Sequence, residues 1–105
     1  MLKVSIITVC YNCIGTIENT LKSVFNQRYE NIEYIVIDGL SDDGTIQTIN
    51  KYKSKIDKII SEKDTGVYNA INKGIKLASG DIISLLHSDD IYTSDDIIEE
   101  VVNQF

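Results

Sequence analysis

Two carboxylates, Asp89 and Asp90, follow the apolar run 81–86 (DIISLL) and the residues His87-Ser88. Adjacent acids of this kind suit a hard divalent cation. Mg²⁺ or Mn²⁺ takes one or two protein carboxylates and completes its shell with water and phosphate oxygens. Two linked phosphates carry dense negative charge that carboxylates alone repel, so a cation must bridge them. The same cation stabilises the charge that develops on a departing diphosphate. Two further doublets, Asp42-Asp43 and Asp95-Asp96, share the composition, and an acidic doublet taken alone equally describes a solvated turn or a helix start. A second chemistry is offered by Cys10-x-x-Cys13, a thiol pair where a strand gives way to a helix, as in thioredoxin-like redox sites. The chain contains no proline and no tryptophan, so it lacks the neighbours such a pair uses. Cys10 reads more simply as the small apolar end of a buried strand. His87 alone reads more simply as a loop hydrogen-bonder than as a metal ligand.

Composition narrows the partners. Sixteen acidic and 10 basic residues leave a net charge of −6, with no Lys/Arg-rich block, which sets nucleic acid aside as a direct partner. The 105 residues, 43% hydrophobic and 25% charged, describe a single folded domain over 1–105 with a modest core. That domain is expected to rely on further chain after Phe105. No apolar run is long enough to span a bilayer and nothing resembles a cleaved signal, so the expected location is the cytoplasm. Two cysteines without a second pair or a histidine cluster make no zinc site.

The elements that must position these residues follow from periodicity. Residues 4–10 (VSIITVC) form a β-branched, almost wholly apolar run, the pattern of a strand buried on both faces of a parallel sheet. Thr16 can cap a helix whose Ile17, Leu21, Val24 and Phe25 share one face up to about Gln27. Residues 31–38 (NIEYIVID) predict a second strand, ending in the turn-rich segment 39–44. A helix over 45–52 and a short strand over 56–61 come next. Residues 66–78 predict a third helix with Val67, Tyr68, Ala70, Ile71, Ile75 and Ala78 towards the core, stopped by Ser79-Gly80. Residues 81–86 predict the fourth strand, and Ser94 can cap a last helix bearing Ile97, Ile98, Val101, Val102 and Phe105.

Alternating strands and helices with short loops imply right-handed βαβ units and a Rossmann-like α/β fold, its mainly parallel sheet covered by helices on both faces. Ligands of such sheets bind outside the carboxyl ends of the strands, where strand order reverses. The four strand ends carry residues 10–13, 38–44, 62–66 and 87–90. An aromatic ring, several carboxylates and glycines on one rim can supply base stacking, hydroxyl recognition and metal coordination.

The blocks 4–12 (VSIITVCYN), 35–45 (IVIDGLSDDGT), 61–74 (SEKDTGVYNAINKG) and 85–90 (LLHSDD) resemble, in order and spacing, family 2 glycosyltransferases. The resemblance covers nearly the whole chain. It implies the nucleotide-binding half of a GT-A fold and a metal-dependent, inverting transfer of a sugar from a nucleotide-diphospho-sugar, UDP-sugars first among them, to an acceptor hydroxyl. The acceptor would be a saccharide or a lipid-linked sugar, as in polysaccharide biosynthesis. The full-length protein would then sit in the cytoplasm or peripherally at the inner face of the membrane. Carried over by position, Tyr11 would lie against the base, with the Val9 backbone near it. Asp38 would hydrogen-bond the base and Asp64 would flank the nucleoside. Asp89 would meet the ribose or the metal, and Asp90 would ligate the metal. Asn69, Asn72 and Lys73 are polar neighbours within reach of the ligand.

Two positions depart from the family pattern. His87 stands where many relatives have the first Asp of an Asp-x-Asp-Asp motif, and Gly39 stands where a second Asp usually follows Asp38. The family's general base comes from a downstream acidic motif, expected beyond Phe105, so no catalytic residue is identified within 1–105. The alternative reading is therefore a nucleotide-binding piece without catalysis. A flavodoxin-like receiver domain is a third.

Overall fold

The computed structural model describes residues 1–105. Strands β1 (Val4–Cys10), β2 (Ile32–Asp38), β3 (Lys58–Ser61) and β4 (Ile82–Leu85) form one sheet in the order β3-β2-β1-β4, and every pair is parallel. Helices α1 (Ile17–Phe25), α2 (Thr45–Lys51), α3 (Val67–Leu77) and α4 (Ile97–Asn103) alternate with them. This is the expected Rossmann-like α/β fold, a parallel sheet alternating with helices.

β1 is central and buried along its whole length, which is why it is apolar without alternation. Successive side chains point to opposite faces. Val4, Ile6 and Cys10 join Ile17, Leu21 and Val24 of α1, Ile49 of α2 and Ile98 of α4 on one side. Ile7 and Val9 join Ile35, Ile37 and Ala70 of α3 on the other. The first two crossovers step outward from β1 to β2 and β3. The third returns past β1 to β4, and a right-handed connection running the other way must lay its helix on the opposite face. Strand order therefore reverses between β1 and β4, and a crevice opens at their carboxyl ends.

The opposite end of the sheet is closed by a buried carboxylate. Glu33, 6% exposed, accepts hydrogen bonds from Ser5 Oγ at 2.8 Å, the Ser79 amide at 2.9 Å and Ser79 Oγ at 3.1 Å. Lys58 Nζ lies 3.2 Å away and Lys3 Nζ 3.7 Å. Burial by itself would raise the Glu33 carboxyl, but the Ser79 amide and the Ser5, Lys58 and Ser79 side chains outweigh it and hold the pKa at about 2.

Several expectations need correction. The strand expected from residue 56 begins at Lys58, because a 3-10 turn, Lys53–Lys55, takes up the preceding chain. The last helix starts after Asp96 rather than after Ser94, whose hydroxyl donates to Asp96 Oδ1 at 2.6 Å. Thr16 stands at the head of α1 but makes no side-chain cap. Its hydroxyl turns back to the Cys13 carbonyl. Gly80 does not end α3 in a left-handed turn. It allows close approach, since a Cβ there would sit 2.5 Å from Ser5 Oγ and 2.7 Å from the Ser5 nitrogen. Tyr68 and Ile75 are not core residues, being 80% and 43% exposed. No helix is long and apolar enough to cross a membrane.

Candidate nucleotide and metal site

A cleft of about 690 Å³ opens at the carboxyl edge of the sheet, over the point where strand order reverses. Three segments line it. The end of β1 and the loop after it contribute Val9, Cys10, Tyr11 and Cys13; the β3–α3 connection contributes Asp64 and Gly66 and the start of α3 Val67 and Ala70; the loop after β4 contributes His87, Ser88 and Asp89. Of the residues expected at the site, Val9, Tyr11, Asp64 and Asp89 are thus brought to one cavity. Asp90 follows the turn closed by its amide bonding to the His87 carbonyl at 3.0 Å. It is exposed, but it is not among the residues that line the cleft.

The β1–α1 loop is set by its neighbour after β2. Asn12 adopts φ 49°, its amide donates to Ser41 Oγ at 2.8 Å, and its side-chain oxygen accepts the Asp42 amide at 2.9 Å. Asp43 is exposed and stands just before α2, as expected of a solvated turn and helix start, and it also acts as a bracket between the two loops. It accepts the Ile14 amide at 3.2 Å and the Thr45 amide at 3.0 Å. The Thr45 hydroxyl, more than these amides, holds its carboxyl below the ordinary range.

Asp38 takes a different place from the one the resemblance implies. It is fully buried. One oxygen accepts the Ser41 amide at 3.0 Å and the Ser61 hydroxyl at 2.7 Å, and the other accepts the Ser41 hydroxyl and the Cys10 thiol. Four donors occupy its acceptor positions, so Asp38 ties the ends of β1, β2 and β3 together beneath the cleft rather than facing it.

Tyr11, 63% exposed, lies over Gly39. A Cβ built on Gly39 would come within 3.4 Å of the Tyr11 ring and 2.9 Å of Asp64 Oδ2. The absent side chain at 39 is therefore what lets the ring and the Asp64 carboxylate meet across one slot. The other Asp64 oxygen accepts the Gly66 amide at 3.1 Å, at a residue whose φ of 133° suits glycine. Asn69 and Lys73, expected within reach of the ligand, have partners in the β3–α3 connection. Asn69 accepts the Thr65 amide, while Lys73 donates to the Lys63 carbonyl and pairs with Glu62, each at 3.1 Å.

Cys13 is half-buried, and its thiol is lowered by hydrogen bonding with Cys10, against burial, with Ser88 and Thr45 assisting. The same contact and its own burial push Cys10 up. Cys13 belongs to the strand-end segment 10–13 expected at this edge, whereas the participation of Val67 and Ala70 in the cleft wall was not readable from sequence, where both resemble ordinary apolar packing.

Neither Asp89 nor Asp90 receives a side-chain hydrogen bond or an ion pair. No three His, Cys, Asp or Glu side chains gather into a metal cage. One or two free carboxylates at a cleft are nonetheless the donor set expected for a cation that keeps its water and takes phosphate oxygens. The residues present fit such an ion.

The family model for glycosyl transferase family 2 matches residues 5–105, and the chain belongs to that family. It is 40% identical over 99 residues to an Escherichia coli enzyme, the UDP-Glc:α-D-GlcNAc-diphosphoundecaprenol β-1,3-glucosyltransferase WfaP. That match covers 93% of this chain and 39% of the relative. Among solved structures it superposes on the mannosyltransferase PcManGT of Pyrobaculum calidifontis, in complex with GDP-Man and Mn²⁺, with a TM-score of 0.89 at 24% identity. That match covers 96% of this chain and 31% of the other. It also superposes on residues 1–349 of TarS from S. aureus, in complex with UDP-GlcNAc, with a TM-score of 0.87 at 25% identity, covering 97% and 30%. The chain thus spans less than two-fifths of the length of these proteins.

Proposed function

We propose that this chain is the donor-binding part of a glycosyltransferase that moves a sugar from a nucleotide-diphospho-sugar to an acceptor hydroxyl with inversion at the anomeric carbon. The observation that carries the reading is the partnerless Asp89 carboxylate on a cleft whose far side is the slot between Tyr11 and Asp64. A base stacks on the exposed Tyr11 ring above Gly39, beside the Val9 backbone, while Asp64 accepts a hydrogen bond from the nucleoside. The diphosphate then lies towards β4, within reach of Asp89. Asp89 would meet the cation or the ribose, and Asp90, its exposed neighbour, would be the further carboxylate available to hold the metal. Asp38 enters as the support that holds the floor of the slot.

A divalent ion, Mg²⁺ or Mn²⁺, would supply charge neutralisation for the diphosphate as its bond to the sugar breaks. The acceptor oxygen forms the new bond to the anomeric carbon, the bond to the diphosphate breaks, and the acceptor proton passes to a base. That base is assigned to no residue within 1–105. UDP is favoured as the nucleotide because a relative at 40% identity is named for UDP-glucose and TarS was solved with UDP-GlcNAc. A saccharide or lipid-linked acceptor, met at the cytoplasmic face of a membrane, is the matching proposal for the full-length enzyme.

Calorimetric titration of the folded chain with UDP, GDP and dTDP, each with and without Mn²⁺, tests the reading. Binding of UDP that tightens with Mn²⁺ is expected. A folded chain that binds none of the three rejects the donor site, and binding indifferent to Mn²⁺ rejects the metal assignment alone.

A further inference from the structure

The loop carrying Asp89 is held by a helix far from it in sequence. One stripe of α1 and the residues after it presents Thr20, Ser23 and Gln27, and all three address backbone atoms of the chain from the end of β4 to the first turn of α4. The Thr20 hydroxyl lies 2.9 Å from the Ser88 carbonyl and 2.7 Å from the Asp90 carbonyl. Ser23 Oγ accepts the Tyr92 amide at 3.1 Å. Gln27 donates to the Ser94 carbonyl at 2.7 Å and accepts the Ile98 amide at 3.1 Å. Spacings of three and four residues put these side chains in one row along a helix, and the row runs parallel to the segment it holds.

We propose that Thr20 is a positioning residue for Asp89. The reasoning is geometric and rests on the donor-site reading above. Thr20 is completely buried, so its hydroxyl has no water to choose and its two loop acceptors are the carbonyls on either side of Asp89. Pinning both flanks fixes the backbone that carries the carboxylate, while Asp89 itself stays exposed with no side chain restraining it. A cation ligand of this kind needs such support, because a carboxylate that wanders loses affinity for an ion it shares with water and phosphate. A third acceptor, the Thr16 carbonyl of the same helix, lies farther off at 3.4 Å, so the single proton is directed mainly to the two loop carbonyls and the arrangement holds the loop as a unit rather than one atom of it. Ser23 and Gln27 continue the row away from the acid pair, and their contribution is to seat α4.

The test compares Thr20→Val, which keeps the shape and removes the hydroxyl, with Thr20→Ser, which restores it. Three quantities are measured on the chain: UDP affinity with Mn²⁺, UDP affinity without metal, and the exchange rate of the Asp90 amide by NMR. Thr20→Val is expected to weaken binding with Mn²⁺ by about tenfold, leave metal-free binding unchanged, and speed Asp90 exchange, while Thr20→Ser recovers the Mn²⁺-dependent affinity and the slow exchange. Should Thr20→Val fail to fold, Thr20→Ser and Thr20→Cys, whose weaker donor grades the contact, carry the comparison. Wild-type affinity with Mn²⁺ in the valine or cysteine variant overturns the proposal, as does an equal loss with and without metal. A wild-type chain that gains nothing from Mn²⁺ overturns the metal assignment and the role given to Thr20 with it, whereas failure of the variants alone leaves the donor site standing.

Discussion

Glu33 and Asp89 are both carboxylates beside strands of one sheet, at opposite ends of it, and they differ in what surrounds them. Glu33 is buried, with Ser5, Ser79, Lys58 and Lys3 gathered around its two oxygens. Asp89 is exposed, borders a cleft and receives no side-chain donor. A carboxylate supplied with protein donors is part of the structure, and an unsupplied one at a concavity is free to serve a ligand. Asp38 sharpens the contrast because it stands at the ligand end yet is supplied like Glu33. Position at the carboxyl edge is therefore not sufficient.

Exchanging charge for amide at each end is the most direct way to break this comparison. Asp89→Asn should lower UDP affinity measured with Mn²⁺ by about 100-fold while the melting temperature stays near that of the parent. A large loss of stability would show that Asp89 belongs with Glu33 after all. Glu33→Gln should do the reverse, costing about 2 kcal/mol of stability in denaturant unfolding with nucleotide affinity retained.

The pH dependence has a definite sign. The Glu33 carboxyl titrates at about 2 in the folded chain against an ordinary 4.5, so its contribution is fully present above 4.5 and is lost as pH falls towards 2. Stability should fall across that window in the parent and fall less steeply in Glu33→Gln. Equal slopes in acid titrations of the two proteins would remove Glu33 from the account.

Smaller effects are expected where the slot itself is altered. Gly39→Asp introduces the residue that the family resemblance leads one to expect there, but brings a Cβ to 2.9 Å from Asp64 Oδ2. It should weaken UDP binding by about tenfold, with and without Mn²⁺ alike, at roughly the cost of displacing one hydrogen-bonded group. Tighter binding in this variant would mean that the slot is arranged differently. Least disruptive is chemical labelling. Cys13 should alkylate at neutral pH ahead of the buried Cys10, and UDP with Mn²⁺ should slow it, as peptide mapping would reveal. Equal labelling with and without ligand would put Cys13 outside the occupied part of the cleft.

Much of the fold was legible because its causes are local. The β-branched, mostly apolar runs of β1 and β2, the helical spacing of Ile17, Leu21 and Val24, and the regular alternation of elements need only neighbouring residues to be read. Tyr68 and Gly80 were misread for the same reason, since helical spacing does not say which part of a helix meets the sheet, and a glycine after a helix can answer to a distant strand. At the site, Tyr11, Asp64 and Asp89 were legible as strand-end residues. Val67, Ala70 and Thr20 were not, because nothing in their types distinguishes a cleft wall or a loop anchor from core.

The sequence by itself determined the strands, the helices, the end of the sheet at which polar residues collect, and the family to which the chain belongs. Only the tertiary structure decided which acids are free. That depends on donors brought from far along the chain: Ser79 reaches Glu33 across 46 positions, Ser61 reaches Asp38 across 23, and Thr20 meets the carbonyls flanking Asp89 across 68 and 70. A carboxylate has the same chemistry at every position. Whether it holds the fold or waits for a ligand is set by which hydrogen-bond donors the folded chain carries to it and how much water it leaves.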